Sequence, residues 1–518
     1  MYIATILILF VDVVLKTEAA RILGIFPTPS ISHQVAFRPI IHELVKRGHD
    51  VTVLTTDPVF PKGKTPTNLT EIDVHDISYG ESAGWLEKEQ GSKLGFISLI
   101  QLIMTRMTTM FEKQIQVPEF KKVFNQKFDM LLVEAYVRPA LGLSHVFKVP
   151  VIQISSLGGG PALYRAFGAP SHPLLYPSSI AQRLYNLTLF EKASELFKNF
   201  FIEFLISQTD EFDYEMMRRN FGDDVPNYEV LQNNVQMLFL NEHPIWSNNH
   251  PVPPNIIYTG GVHQPPEPEL SQDLKTFLDS SKNGVIYISF GTNVKPSVLP
   301  RERIEAMTKV LSQLPYDVLW KWDKDELPGK SSNIKVYKWF PQPSLLKHPK
   351  VKLFITQGGL QSTDEAINAA VPLIGIPMLG DQWYNVEKYV YHKIGLQLDI
   401  NDLTEDNFKN AIERVIGDKS FSENIARLRS LMRDQPIKPV ELAVWWIEHI
   451  IQYGGEHLRS PAAGMSFTEY YEVPLLLTIA FILIIVITII TTSIIYLVRL
   501  VKKYFVKSQE KKKKRKSK

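Results

Sequence analysis

The chain contains no cysteine among its 518 residues. This absence excludes disulfide bonds, zinc–thiolate centres and cysteine nucleophiles together. A protein of this length without disulfides must rely on its hydrophobic core for stability. With 45% hydrophobic residues, the chain can supply cores for two sizeable domains.

A net positive charge is also missing from most of the chain. The formal net charge is +3, but residues 499–518 hold eleven Lys or Arg against a single acid, Glu510. The remainder carries 46 basic and 53 acidic residues and is therefore at −7. A basic face for nucleic acid is not predicted for the folded part.

Residues 474–498, PLLLTIAFILIIVITIITTSIIYLV, carry no charge. At about 1.5 Å per residue, a helix of this length crosses the ~30 Å hydrocarbon layer. Basic residues follow directly, so the positive-inside rule predicts a cytosolic tail at 499–518, a juxtamembrane segment at 453–473 and a single-pass type I protein. Lys514 and Lys516 resemble a dilysine retrieval signal, and the alternative is a stop-transfer anchor that also touches anionic lipid. Both readings favour the endoplasmic reticulum membrane.

The first 20 residues, MYIATILILFVDVVLKTEAA, form an apolar run that closes on small residues. This pattern predicts a secretory signal peptide cleaved near Ala19 or Ala20, and the alternative is a first buried strand. Two N-glycosylation sequons, at Asn68 and Asn186, agree with a lumenal main body.

Apolar runs of strand length alternate with amphipathic helical segments, which predicts βαβ units and parallel sheets. The pattern occurs in two halves separated by a proline-dense stretch. Two further helical segments, 94–111 and 183–207, are rich in Met or aromatic residues and are interpreted mainly as core. The alternative is a flexible apolar acceptor pocket that also contacts the membrane. The sequence therefore predicts two facing Rossmann-like α/β domains, at 21–250 and 273–452, joined by a linker at 251–272.

The stretch FITQGGLQSTDEA, residues 354–366, lacks both the lysine of a P-loop and the spacing of a dinucleotide fingerprint. It does run from a strand through Gly358 and Gly359 into a helix that begins near Leu360. Backbone amides at a helix N-terminus, with Gln357 beside them, suit an anion. The turn is therefore predicted to bind phosphate through backbone and neutral donors.

Residues 338–382 contain the elements W-x-P-Q, L-L-x-H-P, F-I-T-x-x-G, V-P and P-x-x-x-D-Q in order. This stretch resembles the donor-binding signature of the UDP-glycosyltransferases. The resemblance extends to the signal peptide, two domains, anchor and basic tail, and it is greatest to the membrane-bound animal branch, particularly insect members. It implies a GT-B fold with an N-terminal acceptor site and a C-terminal UDP-sugar site.

The resemblance also implies roles for individual residues. Aromatic side chains would border the uracil, amides and hydroxyls would cradle the diphosphate, and carboxylates would accept hydrogen bonds from ribose and sugar hydroxyls. Gln357 stands where many members have a histidine. The implied donor-binding residues are Gly291, Thr292, Trp339, Phe340, Gln342, Gln357, Gly358, Gly359, Gln361, Ser362, Glu365, Asp381 and Gln382.

His33, in the predicted loop between the first strand and the first helix, occupies the position of the family's general base. A neutral imidazole suits removal of a proton from an acceptor hydroxyl. The family orients this histidine with an Asp after the strand KFDMLLVEA, and here Glu134 stands at that place. The other nearby acid, Asp129, is predicted to fall within the strand.

Asp323 and Asp325 resemble the metal-binding DxD of another glycosyltransferase fold, but their context reads as a solvated turn. No metal and no bound cofactor are therefore predicted. The co-substrate would be a UDP-sugar, with its leaving charge met by a helix dipole and hydrogen bonds.

The sequence thus predicts an inverting UDP-glycosyltransferase that moves a hexose to hydroxyls of small lipophilic acceptors, such as phenols, plant toxins, hormones or pigments. Resemblance to insect members favours UDP-glucose, and UDP-glucuronate remains the alternative donor. A catalytically idle lumenal binding or partner protein of the same fold is the alternative function. Homo- and hetero-oligomers are both compatible with the sequence.

Overall fold

The computed structural model describes residues 19–82, 96–264 and 269–516, with side chains given from residue 103 in the second range. The predicted signal peptide, apart from its last two residues, lies outside the described residues. The chain divides into two compact units, Met1–Ala463 and Gly464–Lys518.

The first unit contains two sheets in which every strand pairing is parallel. The first sheet has seven strands in the order β3-β2-β1-β4-β5-β6-β7. Its strands are short, mostly buried apolar runs of the kind that parallel sheets require. They are β1 (Arg21–Phe26), β2 (Asp50–Thr55), β3 (Leu69–Asp73), β4 (Met130–Glu134), β5 (Val151–Ser155), β6 (Val235–Leu240) and β7 (Ile256–Tyr258).

The second sheet has six strands in the order β10-β9-β8-β11-β12-β13, again all parallel. Its strands are β8 (Val285–Ser289), β9 (Asp317–Lys321), β10 (Ile334–Tyr337), β11 (Val351–Thr356), β12 (Leu373–Gly375) and β13 (Gly395–Gln397). Two Rossmann-like sheets in separate halves confirm the predicted α/β architecture.

Helices connect the strands of both sheets. In the first half they are Ile31–Lys46, His75–Ser82, Phe96–Gln114, Pro118–Lys121, Gly142–Phe147, Pro161–Ala166, Leu189–Ser207, Asp210–Phe221 and Tyr228–Asn233. In the second half they are Gln272–Ser280, Arg301–Gln313, Gln342–Leu346, Leu360–Ala369, Gln382–Tyr391, Glu405–Gly417, Lys419–Arg433 and Pro439–Tyr453. Short 3-10 turns lie at Lys122–Asn125, Arg138–Leu141, Pro296–Val298 and Glu456–Leu458.

Each sheet reverses its strand order at one point. In the first sheet the chain runs outward from β1 through β2 to β3 and then resumes at β4 on the other side of β1. In the second sheet the same reversal separates β8 from β11. Ligands of open parallel sheets bind in the crevice at the carboxyl ends of such strands. The topology alone therefore predicts that ligand-binding residues follow β1, β4, β8 and β11.

Two segments pack differently from the sequence-based domain assignment. The helix Pro439–Tyr453 buries Ala443, Val444, Ile447 and Ile450 in a core with residues of β1, β2 and β4, so it covers the first sheet. The chain thus returns to its first half before leaving the folded body. Within the proline-dense stretch, Ile256–Tyr258 forms the edge strand β7, a position that tolerates nearby proline.

The second unit is helical. A short helix, Phe467–Tyr470, precedes a 44-residue helix, Val473–Lys516, whose apolar part is long enough to cross a membrane. This helix contains the predicted span 474–498 and continues into the basic tail.

Candidate active site

His33 lies at the carboxyl end of β1, in the first turn of the helix Ile31–Lys46 rather than in the predicted loop. Its Nδ1 is 2.8 Å from Oε1 of Glu134, the last residue of β4. The Glu134 side chain is 1% exposed, and its Oε2 accepts a hydrogen bond of 3.2 Å from the Thr28 backbone N–H. A buried carboxylate held in this way fixes the imidazole and can stabilise its charged form.

The direction of β4 decides which acid partners His33. Asp129 precedes the strand and accepts a hydrogen bond of 2.7 Å from the Arg21 backbone N–H at the opposite edge of the sheet. It therefore lies outside β4, contrary to the prediction. An ionised Glu134 carboxylate can only accept, so Nδ1 carries the proton and Nε2 of His33 is left as the basic nitrogen.

Ser156, which follows β5, connects His33 to the second half of the chain. Its Oγ lies 2.9 Å from Nδ1 of His33. Its carbonyl oxygen accepts a hydrogen bond of 2.9 Å from Nε2 of Gln361, in the helix after β11. A further contact of 3.4 Å joins Ser30 Oγ and Asn293. Ser156 was not predicted from the sequence, although the switch-point rule could have identified a polar residue at this strand end.

The turn after β11 leads directly into the helix Leu360–Ala369. Gly358 has φ +91°, and a Cβ there would lie 2.5 Å from Val386 Cγ2, so only glycine fits. Gln357 is buried, and its Nε2 lies against both Gly291 and Gly359, where added Cβ atoms would be 2.1 and 3.1 Å away. The two predicted phosphate loops, after β8 and β11, are therefore adjacent, with the Gln357 amide between them.

A lysine from the neighbouring strand β9 lies beside the loop after β8. Lys321, the last residue of β9, donates a 2.9 Å hydrogen bond to the Gly291 carbonyl, and its Nζ stands 4.3 Å from the centre of the Trp339 ring. Burial lowers the pKa of Lys321 to about 8. The sequence alone predicted only neutral donors at this turn. The pairing of adjacent parallel strands β8 and β9 brings this cation to the loop.

Gln342, Ser362 and Glu365 form one hydrogen-bonded group. Gln342 Nε2 donates to Glu365 Oε2 at 2.7 Å and to Ser362 Oγ at 2.9 Å. Tyr287 donates from its hydroxyl to Gln342 Oε1 at 3.0 Å. These contacts orient a carboxylate that can accept hydrogen bonds from vicinal hydroxyls.

The adjacent aromatic residues Trp339 and Phe340 differ in exposure. Trp339 is 61% exposed, which leaves its ring available to a base. Phe340 is 3% exposed and packs edge-on against Tyr287 and Tyr337. Phe340 thus supports the site from within the core, a correction to its expected place beside the uracil.

Asp381 immediately precedes the helix Gln382–Tyr391. Burial raises the pKa of Asp381 to about 6, while a 2.8 Å hydrogen bond from Asn385 Nδ2 opposes this shift. Asn385 also donates to the Gly358 carbonyl at 2.8 Å and accepts from Trp246 Nε1 at 2.8 Å. Asn385, not singled out from the sequence, therefore ties the carboxylate to the phosphate turn and to the first half of the chain.

Gln382 is the first residue of the same helix. Its Oε1 accepts hydrogen bonds of 2.8 Å from the backbone N–H groups of Met378 and Leu379, and its side chain is buried. These contacts shape the loop that carries Asp381. Thr292 remains exposed on the loop after β8.

The two carboxylates of the DxD-like stretch have separate partners. Asp323 accepts a 3.0 Å hydrogen bond from the Ser297 backbone N–H, whereas Asp325 forms an exposed ion pair of 2.9 Å with Lys338. Asp323 thus anchors the 3-10 turn after the β8 loop.

Comparison with known proteins identifies the family. A sequence model described as "UDP-glucoronosyl and UDP-glucosyl transferase" matches residues 22–515. An ecdysteroid UDP-glucosyltransferase of Spodoptera littoralis nuclear polyhedrosis virus is 35% identical over 92% of this chain and 97% of its own length. UDP-glucosyltransferase 2 of Dactylopius coccus is 31% identical over 92% of each chain.

The chain belongs to the UDP-glycosyltransferase family and is a UDP-glycosyltransferase enzyme, which confirms the family predicted from residues 338–382. A solved structure of a UDP-glucose:anthocyanidin 3-O-glucosyltransferase in complex with UDP aligns with a TM-score of 0.57 and 17% identity, covering 84% of this chain and 99% of that one. This likeness confirms the GT-B fold. The sugar donor of the present enzyme is a UDP-sugar.

Proposed function

We propose that the enzyme transfers glucose, with inversion, from UDP-glucose to a hydroxyl of small lipophilic acceptors. The observation that carries the proposal is the path from Glu134 through His33 and Ser156 to Gln361. This path joins a base at the switch point of the first sheet to the phosphate turn at the switch point of the second. An acceptor between them would meet the base and the sugar together.

In this mechanism Nε2 of His33 removes the acceptor proton while the acceptor oxygen attacks C1 of the sugar. The C1–O bond to UDP breaks in the same displacement, so a covalent enzyme intermediate is not needed. Glu134 stabilises the imidazolium that forms. The diphosphate leaves into the turn 357–360, where amides, the Gln357 side chain and nearby Lys321 meet its charge.

The donor sugar is proposed to be neutral. Both reported relatives are named as glucosyltransferases. Asp381 lies at the proposed sugar subsite, and it is ionised at neutral pH because its pKa is about 6. A glucuronate carboxylate at this place would meet like charge. A kcat/KM for UDP-glucuronate equal to or above that for UDP-glucose would overturn this assignment.

Substitution of the base tests the proposal most directly. We expect His33→Ala to retain UDP binding but to transfer at least ~100-fold more slowly, because general-base catalysis commonly contributes that much. UDP release with a panel of phenols measures transfer, and titration with UDP measures binding. His42→Ala, on the same helix but away from the site, is the matched control. Near-normal turnover by His33→Ala would remove His33 from the mechanism.

Localisation is proposed from the apolar C-terminal helix, the basic tail and the apolar N-terminus: a type I protein of the endoplasmic reticulum with its catalytic domains in the lumen. Of the two sequons, Asn186 is exposed, whereas the Asn68 side chain donates hydrogen bonds of 2.8 Å to two backbone carbonyls. Asn186 is therefore the favoured glycan acceptor. Protease protection of the main body, but not of the tail, in sealed microsomes checks this orientation.

A further inference from the structure

Gln361 is the second residue of the helix Leu360–Ala369, and it is buried. Its backbone N–H is one of the first amides of that helix, which have no carbonyl partner within the helix and are available to a phosphate. Its side chain contacts the first half of the chain. Nε2 donates a hydrogen bond of 2.9 Å to the carbonyl oxygen of Ser156, which lies 205 residues earlier. One residue of the phosphate turn thus offers its amide to a ligand and its side chain to the opposite half.

Ser156 is held from both halves. Its carbonyl oxygen also accepts a hydrogen bond of 3.2 Å from Nδ2 of Asn241, which follows β6 in the first half. A carbonyl oxygen has two lone pairs, so both bonds form together. Asn241 stays beside Ser156 when the halves move apart, whereas Gln361 belongs to the other half. The hydrogen bond from Gln361 therefore exists only while the two halves are close together.

The position of Ser156 decides where its hydroxyl meets the base. Ser156 Oγ lies 2.9 Å from Nδ1 of His33, and Oε1 of Glu134 lies 2.8 Å from the same nitrogen. The imidazole is thus held between a carboxylate and a hydroxyl. Ser156 and Glu134 are each 1% exposed, and polar contacts are stronger in such a low-dielectric environment than in water. A displaced hydroxyl would leave the imidazole a wider range of orientations.

We propose that Gln361 is a positioning residue, whose side chain holds Ser156, and through it His33, beside the phosphate turn. The base is then aligned only when the two halves are closed. Occupation of the turn by the UDP-sugar and alignment of the base are linked, because both depend on Gln361. Such an enzyme loses little donor sugar to hydrolysis, since its open form lacks an aligned base. This inference rests on the proposed role of His33 as the base.

Gln361→Met tests the proposal in the detergent-solubilised full-length enzyme, because methionine has a similar length but cannot donate a hydrogen bond. At saturating substrates kcat should fall about tenfold, which is the upper range for a single hydrogen bond. The dissociation constant of UDP, measured by titration calorimetry, should change by less than about threefold, because the backbone amides remain. An unchanged kcat would overturn the proposal. A UDP dissociation constant raised about tenfold with kcat intact would show that the side chain binds phosphate instead.

The His33→Ala variant shows whether Gln361 acts through the base. In that background Gln361→Met should slow transfer by less than about twofold further, because no imidazole is left to orient. A further loss of about tenfold would refute the proposed path. Near-normal turnover of His33→Ala alone would overturn the proposed base and this inference with it. An impaired His33→Ala with a normal Gln361→Met would overturn only this inference.

A second variant, Ser156→Ala, removes the hydroxyl but keeps the carbonyl that Gln361 binds. It should lower kcat to a similar extent, and the double variant with Gln361→Met should be no slower than the slower single variant. Additive losses in the double variant would contradict the proposed path. Arg183→Met is the control, because it removes a different contact between the halves, an ion pair of 3.6 Å with Glu387, and should keep the parent kcat. Circular dichroism of each variant should match that of the parent chain.

Discussion

Asp381 is expected to lower the stability of the enzyme at neutral pH while serving its function. The ordinary pKa of an aspartate is 3.8, and burial raises the pKa of Asp381 to about 6. A carboxyl whose pKa is higher in the folded chain is destabilising once it ionises. The cost is absent below pH 3.8 and complete above pH 6. A shift of about two units at 1.36 kcal/mol per unit gives a cost of about 3 kcal/mol.

Asp381→Asn should remove this cost, since the Asn amide oxygen can still accept the hydrogen bond from Asn385. At pH 7.5 the variant should be more stable by up to about 3 kcal/mol, with an unfolding midpoint up to about 3 °C higher. Near pH 4 the advantage should disappear. Transfer should fall most above pH 6, where Asp381 is ionised and the neutral amide is the weaker acceptor for sugar hydroxyls.

Thermal unfolding of the detergent-solubilised chain at pH 4, 6 and 7.5 measures the effect, with kcat/KM for the donor measured in parallel. Glu423→Gln, which removes a fully exposed carboxylate, is the control and should shift the midpoint little at any pH. A variant that is no more stable than the parent at pH 7.5, or equally stabilised at all three pH values, would refute the reasoning.

Substitutions at three further positions test the His33–Glu134 pair and the phosphate loops. Glu134→Ala should reduce kcat strongly because His33 loses its partner at 2.8 Å, whereas Glu134→Asp should retain measurable activity; equal rates for the two would exclude a role for Glu134. Gln357→His should preserve transfer, since either side chain can donate to a phosphate oxygen, and complete loss would show that the turn has another role. Lys321→Met should raise the KM for the UDP-sugar by roughly tenfold at pH 7 and leave acceptor KM unchanged, because the variant loses a partly buried cation beside the Gly291 loop.

The strands were predictable because each is a short apolar run that ends in glycine or a polar residue, as β8 and β11 show. Their parallel order follows from the intervening helices. The same local signals placed Gly291 and Gly358 at strand ends. Contacts between residues that are far apart in sequence could not be predicted from such local signals. Trp339 and Phe340 are adjacent aromatics, and only the packing of Phe340 on Tyr287 distinguishes the exposed ring from the buried one.

Residues that reach the site only through tertiary contacts were not predicted either. Lys321 is about thirty residues from Gly291 in sequence and reaches it only because β8 and β9 are neighbours. Ser156 contacts His33 and Gln361, which are separated from it by more than a hundred residues each. The sequence contains no local pattern for such contacts. The choice between Asp129 and Glu134 required the strand bounds, since the two acids stand at opposite ends of β4.

The return of the helix Pro439–Tyr453 to the first sheet has a mechanical consequence. The polypeptide passes between the halves twice, once near residues 259–272 and again near 433–439. Because the two halves are joined by two separate chain connections, neither half can twist freely against the other. The main rotation left to them is about the line through the two connections. Opening of the crevice to admit UDP-sugar would then follow a single arc, and His33 would come back to the same place opposite the phosphate turn at every closure.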